Sequence, residues 1–228
     1  MKCERFELKQ GDQDVAKLVS KSLRRVTKTI VESQHSQPLA FAKFLQPFLN
    51  LFTRIFFVLS TQRDKNGQHH PLLVQAITFL DNVASCTLYT STLTENKYSI
   101  RKNRTSNLTI EQARNVSCQC EEICETFFRA EKAKTFVLQI MNVMLPMGRM
   151  ELEEWNDDPE TFYRNQSLNQ DKEEHARFAS ENFLLTLLER EADSKTDLLP
   201  RTILASRDEI ERRKISSLGD VRSAMKSL

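Results

Sequence analysis

The sequence predicts an all-α fold, and three observations carry that prediction. Only 4 glycines and 6 prolines stand among 228 residues, too few turn formers for a sandwich, a barrel or a glycine-rich nucleotide loop. Apolar residues recur at three- and four-residue steps through most of the chain. Polar connections separate those stretches. The length suits one large domain or two small ones and suffices to bury a sizeable core.

The first element is the amphipathic segment 15–31, "VAKLVSKSLRRVTKTIV". Val15, Leu18, Val19, Leu23, Val26 and Ile30 share one face, the expected buried stripe, and Asp14 is placed to cap the helix. After "SQHSQP" comes a second helix, with Phe41, Phe44, Leu45, Phe48, Phe52, Ile55 and Leu59 at helical steps. Pro47 lies inside that pattern and predicts a kink or a late start. "TQRDKNGQHH" reads as a loop, and Pro71 suits the first turn of a third helix, "PLLVQAITFLDNVASCTLYT", which is apolar on more than one face and so well buried.

A long polar connection, 91–108, leads to a fourth helix starting near Thr109, with Glu111 in its first turn. A fifth, "EKAKTFVLQIMNVML", ends before Pro146 and Gly148. The next segment, "MELEEWNDDPETFYRNQ", gathers carboxylates around the only tryptophan. Asp157 and Asp158 before Pro159 match a helix N-cap followed by proline at the first helical position, with Glu160 in the first turn. Trp155 and Phe162 are expected to pin this short element to the ends of neighbouring helices. A sixth helix follows in "EEHARFASENFLLTLLERE", with Phe178, Phe183, Leu184, Leu187 and Leu188 as its buried stripe. The organisation read from this pass is a polar segment 1–14, helical repeats over 15–191 and a polar, loosely attached tail 192–228. Consecutive helices of this kind pack either as a closed bundle or as a solenoid, and HEAT repeats have the weakest consensus of the repeat classes.

Charge and motifs exclude several functions. The 33 basic residues nearly balance 31 acidic ones, so bulk charge does not argue for nucleic acid. Lys17, Lys21, Arg24, Arg25 and Lys28, and separately Arg101, Lys102 and Arg104, lack interleaved aromatics and read as solvated faces. The most apolar run, "FLQPFLNLFTRIFFVLS", is interrupted by Gln46, Pro47, Asn50, Thr53 and Arg54, which argues against a bilayer span of ~20 mostly apolar residues. Five cysteines and a polar amino terminus suggest reduced thiols. The sequons at Asn103, Asn107, Asn115 and Asn165 are then read as chance triplets.

Cys118, Cys120 and Cys124 have no second ligand pair for zinc and read as core-helix residues. His69 and His70 read as loop residues. The carboxylates Glu151, Glu153, Glu154, Asp157, Asp158 and Glu160 lack the alternating, glycine-containing pattern of a calcium loop. No nucleophile elbow, P-loop, dinucleotide-binding glycine pattern or H-E-x-x-H is present. The expectation is a protein without catalytic residues, cofactor or metal.

The acidic run, the tryptophan, two intervening residues and then Asp-Pro-Glu with an aromatic, as in "ELEEWNDDPETF", is similar to a segment recurring in importin-β-type karyopherins, in particular the importin 11 group. "KTFVLQIMNVMLPMGRM" resembles the helix that precedes that segment, "HARFASENFLLTLLE" the helix that follows it, and "PLAFAKFLQPFLNLF" the Phe-rich helix upstream. The resemblance spans roughly Val15 to Glu191. It implies an α-α superhelix of HEAT/armadillo-like hairpins from a nuclear transport receptor, acting in nucleus and cytoplasm. The implied partners are protein cargo and nucleoporins, with no membrane and no nucleic acid. Binding of the GTPase Ran, which the family makes chiefly through amino-terminal repeats, is not assignable to this stretch. The residues offered for partner binding are Glu151, Glu153, Glu154, Trp155, Asp157, Asp158 and Glu160. The alternative is a HEAT-repeat scaffold that does not shuttle.

Overall fold

A computed structural model of the chain describes residues 10–62, 70–89, 108–146, 149–168 and 176–194. About nine-tenths of them are helical, and no strand occurs among them. The connection 91–107 and the tail from 195 onward lie outside the described residues.

Helix α1 runs Gln10–Ser36. It starts before Val15 because no proline interrupts the segment, so Asp14 lies within the helix and is not its cap. The expected stripe is not buried. Val15, Leu18, Val19, Leu23 and Val26 are 62, 66, 59, 47 and 57% exposed. The face that docks is Thr27, Val31 and Gln34, at four- and three-residue steps on a different side of the helix. Among the described side chains of α1, burial begins only at Thr27, in its last turns, and α1 packs on α4.

Pro38 opens a short helix, α2 (Pro38–Phe41), which passes through a 3₁₀ turn (Ala42–Phe44) into α3 (Leu45–Ser60). Pro47 sits in the first turn of α3, where a missing N–H leaves no helical bond unmade; the late start is the one observed. The buried line of α3 is Leu45, Leu49, Phe52, Phe56 and Ser60, whereas Phe44 points to solvent. By length and composition Pro38–Ser60 is apolar enough to cross a bilayer. Here one face of it closes the protein core.

Helix α4 (Pro71–Ala84) is the central element, packed by α1, α3 and α9. Its buried residues, Leu72, Leu73, Val74, Ala76, Ile77, Phe79, Leu80, Val83 and Ala84, cover more than one face, as its composition predicts. Pro71 fills the first helical position, and His70, unassigned beyond the loop, is the cap: its Nδ1 accepts from the Leu72 N–H at 3.2 Å. The helix is shorter than expected. It stops at Ala84, and a separate 3₁₀ turn, Thr87–Tyr89, follows. That turn carries Tyr89, whose Oη donates to the Pro38 carbonyl at 3.2 Å and accepts from Gln34 Nε2 at 3.4 Å. Burial of such polar groups requires these partners.

Helix α5 (Ile110–Phe127) begins with a complete capping box between Thr109 and Gln112, at 3.2 and 2.9 Å. Helix α6 (Ala130–Gln139) continues into a π turn, Ile140–Met144, in which the Leu145 N–H donates to the Ile140 carbonyl at 3.0 Å. Helices α7 (Arg149–Asp157) and α8 (Pro159–Leu168) form a corner, and α9 (Ala176–Ser194) returns against α4. The buried line of α9 is Ala176, Ser180, Phe183 and Leu187; Phe178, Leu184 and Leu188 are half-buried.

Aromatic rings fill the core. Phe52 stacks on Phe79 at 4.2 Å, joining α3 to α4. Phe136 is fully buried and meets Phe56, Phe57 and Phe183 at 5.3–5.4 Å, with Phe127 and Phe128 at 6.4 Å. Polar contacts set register between helices: Thr186 Oγ1 donates to Asp81 Oδ1 at 2.6 Å, and Gln139 Nε2 to Ser60 Oγ at 2.7 Å. Arg190 Nη1 donates to the Ala84 carbonyl at 3.2 Å while its guanidinium lies over Phe128. That side chain satisfies a carbonyl at the carboxyl end of α4, where a cation is favoured.

Candidate partner-binding surface

The acidic segment forms a corner of two short helices. The Asp158 N–H donates to the Glu154 carbonyl in the last turn of α7, and the Asp158 carbonyl accepts from the Phe162 N–H, each at 3.0 Å. Between them Asp158 Oδ1 accepts from the Thr161 N–H at 3.0 Å, the side-chain cap that the Asp-Pro spacing predicts. This hydrogen bond holds the Asp158 carboxyl below the usual carboxylate range. Glu160 pairs with Arg164 at 3.3 Å one turn on, with both side chains largely in water.

Trp155 and Phe162 meet edge to face at 5.6 Å. Phe162 is buried, but Trp155 is 40% exposed. Trp155 therefore closes the corner between α7 and α8. The reason is local: only six residues, with one Asp-Pro bend among them, separate Trp155 from Phe162. The acidic stretch 149–157 is itself a helix, which its charge density and lack of an apolar stripe had hidden.

Glu153, Glu154, Asp157, Asp158 and Glu160 are all exposed, and Leu152 and Tyr163 join Trp155 as exposed large side chains. The side chain of Glu151 lies outside the described ones. The corner thus presents accessible carboxylates around a few apolar anchors, a composition suited to a basic partner with an apolar contact of its own. Among the described residues no group of three or more His, Cys, Asp or Glu side chains is placed to hold a metal ion.

The other candidates lie apart from this corner in the chain. Cys120 and Cys124 are buried in the core, where desolvation pushes each thiol up to about 12. Cys118 is exposed on the same helix. The surface that sequence reading missed is the apolar stripe of α1. Its signal is compositional: 15–31 holds five basic residues and no acid, whereas the α7–α8 corner holds six carboxylates against two arginines.

No family model, curated protein or solved structure matches the chain.

Proposed function

We propose that the chain is a helical-repeat segment of an importin-type nuclear transport receptor, whose helices stack as HEAT hairpins in a right-handed superhelix and receive a protein partner. The observation that carries the reading is the α7–α8 corner. Its tryptophan-centred acidic sequence resembles the karyopherin segment, and its carboxylates stand in water around a half-exposed indole. The order of elements agrees with that resemblance: a preceding helix ending at a proline, the acidic corner, then a returning helix. In this reading the segment does no chemistry. It offers shape and negative charge to basic cargo, works in nucleus and cytoplasm, and contacts nucleoporin phenylalanine–glycine repeats.

Two binding measurements test it. A lysine/arginine-rich peptide of the nuclear-import type should bind the chain, more weakly as salt rises. Replacing Glu153→Gln, Glu154→Gln and Asp157→Asn together should weaken that binding on the order of tenfold or more. Unchanged affinity in the neutralised variant would remove the acidic corner from the reading. Binding of the basic peptide without any binding of phenylalanine–glycine repeats would favour the non-shuttling scaffold.

A further inference from the structure

We propose that the exposed stripe of α1 docks on the α7–α8 corner of a second copy of this chain. Val15, Leu18, Val19, Leu23 and Val26 lie on one face of a helix, and all five are about half exposed or more, so among the described residues none buries this stripe. Helices in proteins owe most of their stability to a packed apolar face, so an uncovered stripe on α1 leaves stabilisation unrealised. The charge around the stripe states what can cover it. Between Val15 and Val31 there are five bases and no acid. At 100° per residue, Lys21 and Arg25 border the Leu18 edge of the stripe, and Arg24 and Lys28 lie behind it. The matching surface therefore needs apolar anchors flanked by carboxylates.

The chain itself carries one. Leu152, Trp155 and Tyr163 are exposed at the α7–α8 corner, among Glu153, Glu154, Asp157, Asp158 and Glu160. Both halves of the contact are thus present on one molecule, with opposite charge and unburied apolar area on each. An anionic membrane is the weaker match for α1. The stripe holds only valine and leucine, without the aromatics that anchor interfacial helices, and Arg24 and Lys28 lie on the opposite side of the helix. Because the two surfaces differ, the contact is heterologous: two chains exchange α1 reciprocally, or successive chains continue head to tail. The inference does not depend on the transport reading, since it uses only exposure, charge and packing.

Sedimentation velocity on the full chain tests it, over a range of protein and salt concentrations. The wild type should associate with rising concentration, and the association should weaken roughly tenfold or more between low and high salt. Two variants each remove one face: Leu18→Gln with Val19→Gln and Val26→Gln on α1, and Glu153→Lys with Glu154→Lys on α7. All these positions are exposed, and unchanged circular dichroism and melting confirm that each variant folds. Each alone should be monomeric, and an equimolar mixture should recover a heterodimer, because each supplies the face the other lacks. A wild type that stays monomeric through the high-micromolar range overturns the proposal. So does a mixture that fails to associate, and so does self-association of the Glu153→Lys/Glu154→Lys variant alone, which would point to α1 meeting α1. Capture of the chain by phosphatidylserine vesicles without self-association overturns it in favour of lipid.

Discussion

Replacing Phe136 by alanine should be the most damaging single truncation of the core. The ring is fully buried on α6 and touches rings from α3, α5 and α9, with Phe56, Phe57 and Phe183 at 5.3–5.4 Å. A buried phenylalanine cut to alanine costs about 3–5 kcal/mol, from lost transfer energy and an unfilled cavity. The upper half of that range applies here, because several edge-to-face and stacked pairs disappear at once, each contributing roughly 0.5–1.5 kcal/mol beyond area. A loss of about 4 kcal/mol corresponds to a fall in Tm of about 8–16 °C for a chain of this size. Urea unfolding followed by far-ultraviolet circular dichroism measures it, with an unchanged m-value marking an unchanged native state. Phe44→Ala is the control: that ring is 53% exposed and should cost less than about 1 kcal/mol. Equal losses in the two variants would refute the claim that Phe136 ties four helices together.

Four further outcomes follow from particular contacts. Thr109→Ala removes half of the capping box and should cost about 1 kcal/mol, read as a lower urea midpoint. Asp158 titrates below its unfolded value near 3.8, so its contribution is full above that pH and is lost as pH falls through the lower folded value; Asp158→Asn keeps an acceptor but should flatten that acid limb of the stability curve. Asp81 behaves with the opposite sign: burial, opposed by the Thr186 hydrogen bond and aided by nearby Glu189, raises its carboxyl above 3.8, so its contribution is largest below that value and falls as pH rises through the folded pKa. Asp81→Asn should therefore be tolerated at neutral pH and remove this dependence, whereas Thr186→Val should cost about 1–3 kcal/mol by leaving the half-buried carboxylate without its donor. At neutral pH a thiol reagent followed by peptide mapping should label exposed Cys118 quickly and leave Cys120 and Cys124 unmodified until the chain unfolds.

Local chemistry made much of the secondary structure legible. Pro71, Thr109 with Gln112, and Asp158 before Pro159 start helices by interactions that span three or four residues, and each starts one where its spacing says. Cys120 and Cys124 lie one turn apart on one face of an amphipathic helix, and both are buried. The π turn at Ile140–Met144 had no such signal, because its extra residue is accommodated by packing and not by side-chain type.

Periodicity told which residues share a face but not whether that face has a partner. On α3 and α9 part of the apolar line is fully buried and most of the rest half-buried; on α1 most of a comparable line stands in water, and a narrower set led by Thr27, Val31 and Gln34 makes the contact. Segments of the chain thus fixed their own helices through caps and apolar spacing, which are short-range effects. Which helix lies at the centre, which ring joins five others and which stripe is left exposed depend on residues far apart in sequence, as when Thr186 reaches Asp81. Only the tertiary structure decides these, because a side chain is buried by whatever packs against it and not by its own position along the helix.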